Sequence, residues 1–214
     1  MSEPYAALVQ VTIDKDALIA YLAARPRPAS QWNDWSRIRG RWYGFSWEED
    51  LAGVLAKADR WLGGSYRDAV SEVLRASEAS ALGRCAYDEV SQRFTFGTLT
   101  YSENLYDFVI FFAAARALSH YLHDPQSGFA LVHNYLWGNR NHTIAIMGLG
   151  AQDHSYFLDP QGDAPACEKH LRDATAVFDD IYQAYARLGQ FNIYDPHVPP
   201  PAAPAALDDL ERLR

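Results

Sequence analysis

The chain has 214 residues, 49% of them hydrophobic and 21% charged, which is enough to bury a core without disulfides or a structural metal. A net charge of −8 argues against generic binding to nucleic acid or an anionic membrane, where phosphates call for Lys and Arg. The longest apolar run, Phe108–Ala115, is closed by Asp107 and Arg116 and falls far short of the ~20 residues of a membrane span.

Leu8–Ile13 alternates as a strand. Asp14 then offers an N-cap for a short helix over Lys15–Ala24, stopped by Pro26 and Pro28. Residues 29–47 are aromatic and irregular. Ser46 with Glu49 three residues on predicts a capping box. Behind it, Leu51, Val54, Leu55, Ala58, Trp61 and Leu62 share one helix face, and Gly63-Gly64 ends that helix. Ser65 opens another, with Tyr66, Ala69, Val70, Val73 and Leu74 inward and Gly83 at its end.

Arg84–Val90 and Arg93–Tyr101 form a β-hairpin by composition and alternation. Leu105–Leu122 is a helix with almost no polar face, the mark of a central position in the core, and Asp124-Pro125 breaks it. Gly128–Trp137, His142–Leu149 and His154–Leu158 read as strands. The short links Gly138–Asn141 and Gly150–Asp153 make them an antiparallel meander. A last long helix spans Cys167–Leu188.

The order predicts an α+β fold: a mixed or largely antiparallel sheet with a C-terminal β-meander packed on several helices. Residues 1–190 make one domain. Residues 191–214 make a Pro-rich extended tail with a short exposed terminal helix over Ala205–Arg214. The N-terminus carries no basic, apolar leader, and Cys85 and Cys167 sit in no CxxC or Cys/His cluster. A cytoplasmic protein with reduced thiols is therefore expected, with a single Cys85–Cys167 bridge as the alternative.

No phosphate-binding glycine loop, nucleophile elbow or HExxH is present. His120 and His123 lie three apart near a helix end, where they suit the negative end of the dipole better than a metal, and neither a metal nor a cofactor is expected. Three further groups carry candidate roles. Cys85 with His133, His142 or His154 of the meander is the enzyme alternative, a thiolate–imidazole pair. Residues 25–47 interleave Arg25, Arg27, Arg37, Arg39 and Arg41 with Trp32, Trp35, Trp42 and Trp47, which suits stacking of single-stranded RNA. Against that reading, the same rings serve to anchor a loop. Residues 150–214 hold eleven acids against five bases; such charges are usually a solvated surface, and the functional reading is an acidic face for a basic protein partner, with aromatic anchors beside it. The partner-binding candidates are Asp153, Tyr156, Asp159, Asp163, Asp179, Asp180 and Tyr182.

In size, acidity, element order, aromatic first third and the stretch GFALVHNYLWG…HTIAIMGLG…HSYFLDP, the chain resembles the small immunity proteins of bacterial polymorphic-toxin and type VI secretion systems. That resemblance implies a protein that does no chemistry. It binds one cognate toxin, such as a basic nuclease, and occludes its active site, and an acidic face would speed that encounter. The family has no fixed motif from which a site residue can be transferred, and oligomeric state does not follow from the resemblance.

Overall fold

The computed structural model describes residues 4–39, 45, 46, 48, 50–75, 82–137, 142–187 and 205–213. Strand β1 (Tyr5–Thr12) is apolar on both sides over Ala6–Val9, as a strand covered on both faces must be. It lies inside a six-stranded sheet with β2 (Gly83–Asp88), β3 (Arg93–Ser102), β4 (Gly128–His133), β5 (Thr143–Leu149) and β6 (Ser155–Phe157). The spatial order is β2-β3-β1-β4-β5-β6, and every neighbouring pair is antiparallel. The fold class is thus α+β, and the three strands at one side are the expected meander.

Helices cover both faces. Ala7, Val9, Val11, Phe94, Phe96, Ala130 and Met147 point into one core with α1 (Lys15–Ala23), α2 (Leu51–Trp61), α3 (Tyr66–Arg75) and α4 (Leu105–Ala117). Ala6, Leu8, Leu99, Phe129, Leu131 and Ile146 point the other way, onto Ala174, Phe178, Ile181 and Tyr185 of α5 (Ala164–Arg187). Ten of the thirteen residues of α4 are buried, which explains its lack of a polar face.

Local chemistry sets the ends of these elements, and several differ from the sequence-based expectation. The carboxylate that meets the Ser46 amide belongs to Asp50, at 2.8 Å, and the expected partner Glu49 lies outside the described residues. A reciprocal capping box occurs instead at α3. There the Ser65 amide donates to Asp68 Oδ2 at 2.7 Å, while the Asp68 amide donates to Ser65 Oγ at 3.3 Å. The Ser65 hydroxyl, which donates to the same Asp68 oxygen at 2.8 Å, and the Ser65 amide together hold that carboxyl below its ordinary pKa. Helix α3 ends at Arg75, and residues 76–81 lie outside the described residues.

Helix α4 stops at Ala117 and tightens into a 3-10 turn over Leu118–His120, a common way to close a helix, so it ends five residues before the expected Leu122. Strand β4 ends at His133, four residues early, because the Asn134 side chain accepts the Trp137 amide at 3.1 Å and turns the chain. Helix α5 begins three residues early, because Pro165 is tolerated in a first turn.

The expected exposed terminal helix is not exposed. Helix α6 (Ala205–Arg212) docks on β2 and α3, with Ala206 and Leu210 of the helix and Leu213 just beyond it all buried. The Arg67 guanidinium donates to the carbonyls of Leu210 and Leu213 at the end of that helix. The Pro-rich run preceding it falls within residues 188–204, outside the described residues, as does the Gly138–Asn141 link. No helix among the described residues is long and apolar enough to cross a membrane.

Candidate functional site

The seven partner-binding candidates do not converge on one spot. Asp153 sits at the β5–β6 turn, where Arg27 approaches it at 3.2 Å and His120 at 3.8 Å. Asp159 lies between Arg37 and Arg39, at 4.0 and 3.9 Å. Asp163 opens α5 and accepts the Asp159 amide at 2.9 Å. A helix rises 1.5 Å per residue, so Asp163 and Asp180 stand about 25 Å apart along α5. The structure does gather three candidates there. Asp179, Asp180 and Tyr182 occupy one exposed turn on the outer side of the helix that covers the sheet. Asp179 accepts the Tyr135 hydroxyl, Asp180 lies 3.5 Å from Arg84 of β2, and the Tyr182 ring is 37% exposed. Tyr156 stands apart on edge strand β6, half-exposed beside a groove under the first half of α5.

The residues of the enzyme alternative are not brought together. Strands β3 and β1 lie between Cys85 on β2 and His133 on β4, a separation of about 14 Å at ordinary strand spacing. Cys85 is buried beside α6, and that burial raises its thiol to about pKa 12, far from a nucleophilic thiolate at neutral pH. His133 bonds Thr143 Oγ1 at 2.9 Å, His142 lies 3.3 Å from the Tyr5 hydroxyl, and His154 stands edge-on to Tyr156. Both cysteines are free, Cys85 in the core of the α1–α4 side and Cys167 in that of α5. His120 and His123 turn to different carboxylates, Asp153 and Asp14. Among the described residues no group of three or more His, Cys, Asp or Glu could hold a metal.

Two of the tryptophans of the Arg/Trp-rich segment are spent on the protein itself, while Arg25, Arg37 and Arg39 are exposed. Trp35 is fully buried and donates from Nε1 to the Ala29 carbonyl at 3.0 Å, and Trp32 packs edge-on against it. The guanidinium of Arg116, itself 2% exposed, sits 5.5, 5.1 and 5.0 Å from the ring centres of Trp32, Trp35 and Phe157, and is paired with Asp34. The segment therefore supplies a cation–π cage for one buried arginine. Arg41, Trp42, Tyr43 and Trp47 lie outside the described residues.

Trp61 differs most from expectation. Placed by its spacing on the inward face of α2, it is 71% exposed, because it lies at the margin of the Val54–Ala58–Leu62 stripe and at the last turn of the helix. With Tyr106, whose ring carries the Lys57 ammonium at 3.7 Å, it borders a groove of about 500 Å³ between α2, α3 and α4. Helical periodicity gave no sign of this groove, since its walls come from three elements distant in sequence. Comparison with family models, curated proteins and solved structures finds no match to this chain.

Proposed function

We propose that this protein acts in the cytosol by recognition: it binds a basic protein, a cognate toxin, and blocks it. The observation that carries this reading is the exposed turn of α5. Asp179, Asp180 and Tyr182 combine carboxylates with an amphipathic ring there, on a helix anchored through Ala174, Phe178, Ile181 and Tyr185. Tyrosine on a rigid element makes an interface anchor at low entropic cost, and carboxylates beside it steer a basic partner. The net charge of −8 supports the same polarity.

The test is binding to the product of the adjacent gene. The expected result is a 1:1 complex whose association rate falls with added salt. Reversing both charges, Asp179→Lys with Asp180→Lys, slows association by about tenfold at low salt. A melting curve guards against a folding effect, since Asp179 also holds Tyr135. No complex at micromolar concentration sinks the reading, and unchanged kinetics in the folded double variant moves the interface off α5.

A further inference from the structure

On the α5 side of the sheet, central strand β1 changes character along its length. Ala6 and Leu8 are fully buried beneath α5, yet Gln10 and Thr12, next in the same alternation, are polar and open. Gln10 is half-buried and Thr12, the last residue of β1, is exposed, so this end of the strand is not covered as Ala6 and Leu8 are. Here α5 leaves a groove of about 290 Å³ over this end of the sheet, lined by β1, β3, β4, β5 and the first half of α5.

On the sheet side, the half-exposed Tyr156 ring lies over Gly148 of β5, at ordinary van der Waals distance from where a Cβ would stand there, 3.5 Å. Gln10 Nε2 donates to Thr95 Oγ1 at 3.3 Å, which orders the amide at the groove's edge. On the helix side, the His170 ring packs against Phe129 with 4.7 Å between centres. Its Nδ1 is buried and has no hydrogen-bond partner among the described residues. Desolvation lowers the pKa of that imidazole, which favours a neutral ring able to donate or accept one hydrogen bond.

The charge balance is unlike that of the molecule. Lys169 and Asp173, both lining the groove, pair with each other at 3.3 Å. Arg93, the other cation of the lining, stands across the strand from Asp88, which lies outside the lining and binds the Val90 and Ser91 amides, each at 2.9 Å, through one carboxylate oxygen. The lining itself thus holds two cations, Arg93 and Lys169, against one acid, Asp173, with the Asp88 charge beside Arg93.

We infer that this groove is a binding site for a small aromatic anion, a carboxylate or a phosphate monoester. Its charged oxygens meet Arg93, its ring lies on Tyr156, and Gln10 and His170 supply the neutral hydrogen bonds. The guanidinium fork suits either anion, because both present two oxygens at matching spacing. The site is separate from the Asp179–Tyr182 turn and does not depend on the toxin-binding reading.

The test uses the full chain at constant low ionic strength, titrated with phenyl phosphate, with benzoate, and with benzyl alcohol as the uncharged control. The ring resonances of Tyr156 and His170 are followed by NMR. The expected result is a saturable shift of both rings with at least one of the two anions, at an apparent Kd near or below about 1 mM, and none with the alcohol. Response to phenyl phosphate alone assigns the phosphate ester, and response to benzoate alone assigns the carboxylate. Arg93→Gln weakens binding by about tenfold or more, and Arg93→Lys, which keeps the charge, by less. His170→Phe, which keeps a ring against Phe129 but removes the nitrogens, weakens it about threefold or more. The proposal is overturned by shifts that never saturate, by benzyl alcohol acting like the anions, or by folded Arg93→Gln protein that binds as the wild type does.

Discussion

Among the described residues, three side chains without glycine's freedom occupy the left-handed backbone region, all in hairpin turns: Gln92 at φ 50°, Gln152 at φ 59° and Asp153 at φ 60°. The last two are the central residues of a two-residue link closed by the His154 amide donating to the Ala151 carbonyl at 3.1 Å. Consecutive positive φ values match the twist of the flanking strands. A residue with a Cβ pays about 1 kcal/mol for that conformation, and the Gln92 carbonyl that accepts the Ile13 amide is backbone, kept by any replacement. Gln92→Gly is therefore expected to stabilise the protein by about 0.5 kcal/mol at most, after the greater freedom of glycine in the unfolded chain is deducted. Urea denaturation checks it. The buried Arg116 argues in the opposite direction. Asp34→Ala leaves its guanidinium caged by three rings without a counter-charge, at an expected loss of about 3 kcal/mol. Adding Arg116→Met restores most of that loss, because an apolar chain of similar length suits the same cage. A double variant no more stable than Asp34→Ala alone contradicts this account.

At the scale of elements, α6 is the clearest case of structure made by docking. Eight residues are too few to hold a helix in water, so α6 depends on Ala206, Leu210, Leu213 and the two bonds from Arg67. It lies against edge strand β2, whose Cys85 is 1% exposed. Truncation after residue 204 is expected to expose that thiol and speed its reaction with a disulfide reagent by about a hundredfold, while Arg67→Ala gives a smaller increase in the same direction. If the truncated, folded protein reacts as slowly as the full chain, α6 is not what shields Cys85. Helix α5 shows a different economy. Its inner residues step by three and four, a pattern visible in the sequence. Which of its outer residues share a surface with other elements followed only from the crossing of the helix over the sheet.

Over the whole molecule, burial leaves a pH signature. Cys85 is pushed up to about 12 from 9.0, and Tyr21 and Tyr101 are raised well above 10.0, each chiefly by desolvation. The folded state holds these protons more tightly than the unfolded chain. Their contribution is therefore complete below pH 9 and is lost as pH climbs through 9 to 12. Thermal melting in that range should show a falling Tm, and Cys85→Ala should make the decline shallower. An unchanged slope in that variant points to the tyrosines alone. The sequence by itself determined the α+β class, the hairpin over residues 84–101, the meander and the apolar helix α4, because strand alternation, turn residues and apolar runs are local signals. It also favoured Trp32, Trp35 and Trp42 as anchors on the ground of the overall acidity, and the two that are described, Trp32 and Trp35, pack together on the core. Only the tertiary structure decided that helices cover both faces of the sheet, that α6 docks rather than trails, and that Trp61 faces water. It also separated Cys85 from the histidines and opened a groove over Gln10 beside Arg93 and His170. The physical reason is one and the same: each of these features depends on which distant elements lie side by side, and strand order and helix crossing leave no periodicity in the chain.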